Sequence, residues 1–546
     1  MTQTTDPWGD RFSEAERALL APFVTNLDAP IFGLRNLPEV VKGALFSRYS
    51  RTDKSLRRIL LDEFIQVPES GFAAIVGGAA ANGADQLVAT RQAEAFYERV
   101  LIGYGDDSVA ELGGAHLACE GVSNIAAKAL EDSRIGLSPL EKSTRYVVFN
   151  RKVEGRYRYA RPQELIESAH AARYTAAMDG LFDTYSALLE PTIAHVRART
   201  PRDAQTSERA YASATRAKAC DLLRGLLPMA ALTNVGLFGN GRAFEYLLNK
   251  LYAAEHGELR DIAGHMHTAL DALIPSFVAR ARNERGHALQ AYLRGSRERI
   301  RNSEFRIQNS ELPEVVQSGV MLTSFDADAE QRVVAAVMYA QSDAALEEVR
   351  AAVDTMRADE RRDVLRAYVG ERANRFHRPG RALEEARYSF DILADIGAYR
   401  DLQRHRMLSQ ERQRYTTAHG FITPDELVEA GLAGVYQGAL EHAAAAVEAI
   451  NINMPDAAQY AVPLAFRVRW RITLNLREVY HLAELRSAPQ GHPTYRAVAQ
   501  ELYRLVNAVH PTLAEGMRFV DMNDYALERL DAERRLDEKL KVKSEK

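Results

Sequence analysis

The sequence predicts a helix-rich chain with a few short strands, and three observations predict it. Through residues 37–64 apolar side chains recur at intervals of three and four, the period of a helix with one buried face. Residues 388–402 (YSFDILADIGAYRDL) alternate apolar and polar before shifting to helical spacing. Residues 115–121 and 143–149 read as extended segments bounded by turn or loop residues.

In chain order, residues 1–36 are polar with scattered apolar anchors and read as an arm that packs late or not at all. Residues 37–64 read as two helices broken near Arg51, Thr52 and Asp53, and residues 80–103 as another. A turn at Gly105, Asp106 and Asp107 precedes the strand at 115–121, which leads through a short helix to a polar loop. Residues 280–309 are strongly charged with few apolar anchors and read as a linker, a solvated helix followed by loop. The tail, 526–546, alternates charge signs and reads as a frayed helix.

A length of 546 residues suits two or three domains, and 46% hydrophobic residues allow substantial cores. A net charge of −4 gives no reason to expect nucleic acid as a partner. Cys119 and Cys220 cannot form a disulfide framework, suit a reducing cytoplasm, and sit among small or apolar neighbours as packing residues do. No apolar run approaches the roughly 18 residues of a membrane span, and the first residues lack a signal peptide's basic start and apolar core.

The chemistry concentrates in residues 403–415, QRHRMLSQERQRY, with four arginines, one histidine and a single acid, Glu411. Guanidinium forks match phosphate oxygens, and an imidazole adds a donor or a flat stacking surface. The cluster reads as a site for a phosphorylated ligand, or as a solvated surface making weak ion pairs.

Arg404, His405 and Arg406, followed by Ser409, Glu411, Arg414 and Tyr415, resemble the signature of the flavin-dependent thymidylate synthases. The family places seven residues between Arg-His-Arg and Ser-x-Arg-Tyr; this copy is two short, with Arg412 where the phosphate-binding Ser belongs. Residues 103–146 resemble a second copy. There Glu141, Ser143, Arg145 and Tyr146 keep the nucleotide half, while Asp132, Ser133 and Arg134 replace Arg-His-Arg and Leu112 replaces a His. Downstream motifs repeat as well: Pro228 to Asn240 and Pro463 to Asn475 are each 12 residues. The chain thus resembles a tandem duplication, with modules at 37–279 and 310–525.

The resemblance implies an α+β fold, each module helix-rich around a small, mostly antiparallel sheet. It implies FAD as cofactor, methylenetetrahydrofolate and NADPH as co-substrates, and dUMP or a related pyrimidine nucleotide as substrate. Carried over by motif, Arg404, His405 and Arg406 hold FAD, with Asn475 and His481 at the flavin ring and Arg134 and Asn240 as first-copy counterparts. His481 stands where the family usually has Asn. Arg486 matches the residue against the uracil, where a cation stabilises negative charge developing on the ring. Lys250 lies near the corresponding offset of the first copy. Glu141, Ser143 and Arg145 match the nucleotide signature, with Glu411 and Arg414 as the poorer set. Arg224 matches an Arg that reaches the nucleotide phosphate from a neighbouring subunit, where the second copy has Gln459. Family members are tetramers, so a fused pair is expected to form a homodimer rebuilding a four-module core. Loss of catalysis, leaving a flavin- or nucleotide-binding descendant, is the competing expectation, because neither copy keeps the whole signature.

Overall fold

A computed structural model describes residues 10–50, 52–66, 109–143, 145, 147–301 and 319–544. The chain is α+β, with two small antiparallel sheets among many helices, as the resemblance implied. The expected helix at 80–103 and the turn at Gly105 to Asp107 lie outside the described residues, as does the linker segment 302–309.

Contacts divide the chain into two compact units that cross the repeat boundaries. One comprises residues 1–120, 133–141 and 234–306; the other comprises 121–132, 142–233 and 307–546. In the first unit lies most of a sheet ordered β1 (Gly114–Ser123), β3 (Leu232–Asn240), β2 (Leu137–Glu141). β2 and β3 are antiparallel, with Leu137 opposite Gly239 and Glu141 opposite Val235. The helices expected in residues 37–64 are Glu39–Tyr49 and Leu56–Ile59, the latter running into a wider turn at Leu60–Ile65. The arm does pack. Phe12, Leu20 and Val24 are buried, and Ser13 caps Glu14–Leu20 with a reciprocal contact from Glu16.

The second unit holds a sheet ordered β4 (Gly319–Phe325), β5 (Arg387–Asp395), β7 (Arg467–Asn475), β6 (Leu408–Arg412), antiparallel throughout. The alternation read in the sequence is the pleat of β5. Tyr388, Phe390 and Ile392 are buried, while Ser389 and Asp391 bond Thr473 and Arg469 of β7 at 2.8 and 2.6 Å on the polar face. First-copy helices complete this unit. Ala171–Arg199 packs against Glu208–Leu223 and also against Ala433–Asn451 of the second copy, and one apolar core runs from Tyr174 and Phe182 through Tyr436 to Trp470.

The two copies also join by backbone. Met229 donates to Val462 at 2.9 Å, Ala230 to Tyr460 at 2.8 Å, Leu464 to Leu227 and Ala465 to Gly225 at 2.9 Å each, with Pro228 opposite Pro463. The matched proline elements are therefore antiparallel partners. A Cβ on Gly225 would lie 2.1 Å from the Tyr436 hydroxyl, so only glycine allows this approach.

Two local expectations change. Residues 143–149 are not a strand in their described part; the strand is Leu137–Glu141, just before them. The tail is anchored rather than frayed between Glu528 and Asp537: Glu528 and Arg529 are buried, Lys218 bonds Glu528 at 2.7 Å, and Arg209 bonds Asp537 at 2.6 Å. Among the described residues no helix is long and apolar enough to cross a membrane.

Candidate functional site

β5 ends in Asp395, whose Oδ1 accepts from Ala398 N at 2.9 Å and starts the helix Ile396–Leu402. That short helix carries Asp401 and delivers Gln403, Arg404 and His405 into the second unit. From β7 the chain enters Leu476–Arg486, started by Asn475, whose Oδ1 accepts from Glu478 N at 2.9 Å. Offsets of three and eleven residues from Asn475 bring Glu478 and Arg486 to His405. His405 is buried, with Nδ1 2.7 Å from Glu478 Oε1 and Nε2 2.9 Å from Arg486 Nε. Arg486 also lies 5.8 Å over the Tyr495 ring. His481, half-buried, holds its ring 5.4 Å from that of His405. Burial, partly opposed by Glu478 and reinforced by His405, Arg378 and Arg375, lowers its pKa to about 4.

First-copy residues of the same unit meet this cluster. Arg224, at the end of Glu208–Leu223, is buried and places Nη1 3.2 Å from Asp401 Oδ2 and Nη2 3.8 Å from Asp395 Oδ1. Nη2 has no hydrogen-bond partner. Arg404, half-buried, is 3.3 Å from the buried Glu131, which also accepts from Gln403 Nε2 at 3.2 Å and pairs with Lys128. Arg145 forks onto Asp221 at 2.7 and 2.6 Å and donates to Gln490 O at 3.0 Å. Burial opposes the charge on Asp221, and Arg145 overrides it, holding the carboxyl below its usual range. His492 is held neutral by burial and by Arg224, its Nε2 3.2 Å from Asp221 O.

Asp401 is the acid that Arg224 meets. Burial acts to raise its pKa, yet Arg224, Arg404, Arg486 and Arg145 together hold it far below the usual carboxylate range.

The other expected residues fall elsewhere. Arg406 is exposed, Arg414 pairs with Asp456 at 2.6 Å, and Glu411 lies exposed on β6 opposite Arg471. Arg412, in the place of the family Ser, stacks 4.0 Å over Tyr415. Ser143 accepts from the backbone of Arg145 at 3.2 Å. Glu141, Arg134, Asn240 and Lys250 belong to the first unit. There Lys250 sits 4.6 Å from the Tyr246 ring, and Asn240 caps Gly241–Tyr252 by accepting from Ala243 N at 2.8 Å. The equal spacing from proline to asparagine in both copies is thus the length of a strand ending in a helix cap. Asp221, Asp401, Glu131 and Glu478 were not singled out from the sequence. Glu478 carried one signal, its position three residues after one expected site residue and three before another. Cys220 is buried and Cys119 half-buried, its thiol pushed up to about 11 by burial, so neither is a ready nucleophile.

Comparison with known proteins gives a consistent result. The family described as Thymidylate synthase complementing protein, Thy1, matches residues 70–276 and again 321–512. A UPF0159 protein of Chlamydia muridarum is 43% identical over 96% of this chain and 98% of its own length. One of Thermoplasma acidophilum is 33% identical over 90% and 97%. A flavin-dependent thymidylate synthase of Geobacter sulfurreducens is 32% identical over 24% of this chain and 61% of its own. Among solved structures, the UMP/dUMP methylase PolB of Streptomyces cacaoi, bound with 5-Br dUMP, is matched over 37% of this chain and 95% of its own at 18% identity and a TM-score of 0.30. Matched twice along its length by one family, this chain is a member of the Thy1 thymidylate synthase family in tandem-duplicated form.

Proposed function

We propose that the protein binds dUMP, or a closely related pyrimidine nucleotide, in the guanidinium cluster that both copies build, and converts it to dTMP by reductive methylation with methylenetetrahydrofolate and NADPH. The observation that carries this reading is the meeting of cations from the two copies: Arg224 lies 3.2 Å from Asp401, Arg404 lies 3.3 Å from Glu131, and Arg145 and Arg486 lie 5.9 and 5.8 Å from the one ring of Tyr495. Cations buried on an anion from two directions are the donor set of a phosphate site.

The residues present fit FAD by donor chemistry. Arg404 is a half-buried guanidinium and Arg406 an exposed one, His405 holds its imidazole between Glu478 and Arg486, and Arg224 Nη2 is a buried donor without a hydrogen-bond partner. FAD, when bound, supplies the redox chemistry of methyl transfer. Arg404, His405 and Arg406 are the residues proposed to hold it, with Asn475 and His481 toward the ring. Arg486 is proposed to lie against the pyrimidine, where its charge stabilises negative charge developing on the ring. Asn475 already uses its side-chain oxygen as a cap, which leaves its amide for a ligand. Arg134, Asn240 and Lys250 are proposed as a degenerate counterpart, Glu141, Ser143 and Arg145 as nucleotide contacts, and Glu411 and Arg414 as the weaker set. A homodimer in the cytoplasm completes the proposal; light scattering after size exclusion checks the assembly.

A second reading, binding without catalysis, has its own observation. Arg145 is answered by Asp221, Arg224 by Asp401 and Arg404 by Glu131, so the chain neutralises its own cations. Release of tritium from dUMP labelled at C5, with NADPH and methylenetetrahydrofolate present, is the expected result. Bound flavin without release gives the site to the second reading. Flavin is expected below one FAD per module, because neither copy keeps the whole signature; a ratio of one for every module contradicts this division of roles.

A further inference from the structure

We propose that Asp401 is a built-in occupant of the anion site, which an incoming phosphate must displace, and that this one carboxylate sets the preference between phosphorylated and unphosphorylated pyrimidine ligands. The inference rests on the nucleotide-site reading above and adds a specificity-determining residue to it.

The exposures place Asp401 nearer solvent than Arg224. Its side chain is 21% exposed, whereas that of Arg224, 3.2 Å away, is 5% exposed. A ligand arriving from solvent therefore meets the carboxylate before the guanidinium. Nor can Arg224 easily turn away from Asp401. A Cβ on Gly397 would lie 2.8 Å from its Nη2 and 2.7 Å from Asp395 Oδ1, so the backbone of the Asp401 helix closes directly over that end of the fork. Asp395 is held in turn as the cap of the same helix.

The remaining cations do not relieve the competition, because each already has a partner. Arg145 is locked to Asp221 by two short hydrogen bonds, Arg404 faces Glu131, and Arg486 leans on the ring whose other nitrogen meets Glu478. A phosphate dianion entering this site finds the charge already balanced. It can take the guanidiniums only if Asp401 swings out. Like charges held together in a half-dry site oppose binding strongly, whereas an uncharged 5′ end meets no such opposition.

Asp401→Asn keeps the shape and one acceptor for Arg224 and removes the charge. Calorimetric titration of the full-length protein and this variant with dUMP, deoxyuridine and inorganic phosphate decides the matter. The variant is expected to bind dUMP and phosphate roughly tenfold more tightly or better, the scale of a removed like charge, with deoxyuridine unchanged. Asp401→Glu, which restores the charge, is expected to bind dUMP no better than the parent. Unchanged or weaker dUMP and phosphate binding by a folded Asn variant overturns the proposal, as does an equal gain for deoxyuridine. If neither protein binds any pyrimidine, the nucleotide reading fails and the phosphate titration alone decides: a gain upholds Asp401 as the occupant and no gain removes it. If the Asn variant does not fold, Asp401→Ser is titrated in its place: a gain for dUMP and phosphate without one for deoxyuridine upholds the proposal, and no gain overturns it.

Discussion

Glu478 Oε1 stands 2.7 Å from His405 Nδ1, and this contact settles which nitrogen of the ring carries the proton. Arg486 Nε can only donate, so His405 Nε2, 2.9 Å from it, must accept; Nδ1 is then the protonated nitrogen, directed at the Glu478 carboxylate. Glu478 acts through His405 as a positioning residue for Arg486. Glu478→Gln keeps an acceptor for Nδ1–H and is expected to retain most activity. Glu478→Ala frees the ring and is expected to lower tritium release about tenfold to a hundredfold, the scale seen when a histidine loses its orienting partner. Substrate KM is the added readout, since loss of position should act mainly on kcat. An Ala variant with unchanged kcat would show that Glu478 only fills space.

The buried fork between Arg145 and Asp221 makes a stability prediction. Asp221→Ala leaves a buried guanidinium without its carboxylate and should cost about 3 to 5 kcal/mol. Replacing both partners by apolar residues of similar volume should cost clearly less. Urea unfolding of the parent, the single variant and the double variant measures both, and equal losses would mean that packing, not charge, sets the penalty.

His481 supplies a pH dependence of stability. Its folded pKa, about 4, lies below the ordinary histidine value near 6.5, so the unfolded chain binds the extra proton first. Stability should therefore fall as pH drops from about 6.5 toward 4 and level off below that on this group's account. With the ring only half-buried, the loss is discounted for solvent to about 1 to 2 kcal/mol. His481→Asn should flatten this part of the curve. Thermal melts at pH 7.0 and 4.5 check it; the same slope in the variant would assign the effect elsewhere.

Asn475 and Asn240 test whether a helix cap and a ligand contact share one side chain. Asn→Ala at either should cost about 1 kcal/mol, as a lost N-cap does, and Asn→Asp should cost little because aspartate also caps. If Asn475 uses its amide on the flavin, Asn475→Asp keeps the melting temperature while weakening flavin retention. Loss of neither in Asn475→Asp would leave the residue as a cap alone.

The local elements were legible because their signals are local. The alternation of residues 388–392 is the pleat of β5, and the apolar period of residues 37–64 became two helices. The cation-rich run at Arg404 also stood out, with four arginines and one histidine against a single acid beside an apolar segment. Other features were not legible. The asparagines repeated at equal offsets read as site residues, whereas a strand of fixed length ending in a cap produces the same spacing. The extended look of residues 143–149 misled because a strand needs a partner edge, and the pairing with β3 is used by Leu137–Glu141 just before them.

The sequence by itself determined that the chain is one module written twice, because motif spacing survives in a linear string. Only the tertiary structure decided which charges meet. Asp221 and Arg145 lie 76 residues apart, and Asp401 and Arg224 lie 177 apart. Nothing in their local sequence pairs them; the antiparallel joining of residues 225–230 with 460–465, and the core shared by helices of both copies, bring them together. Electrostatic partners are chosen by distance after burial, and burial is a property of the packed chain.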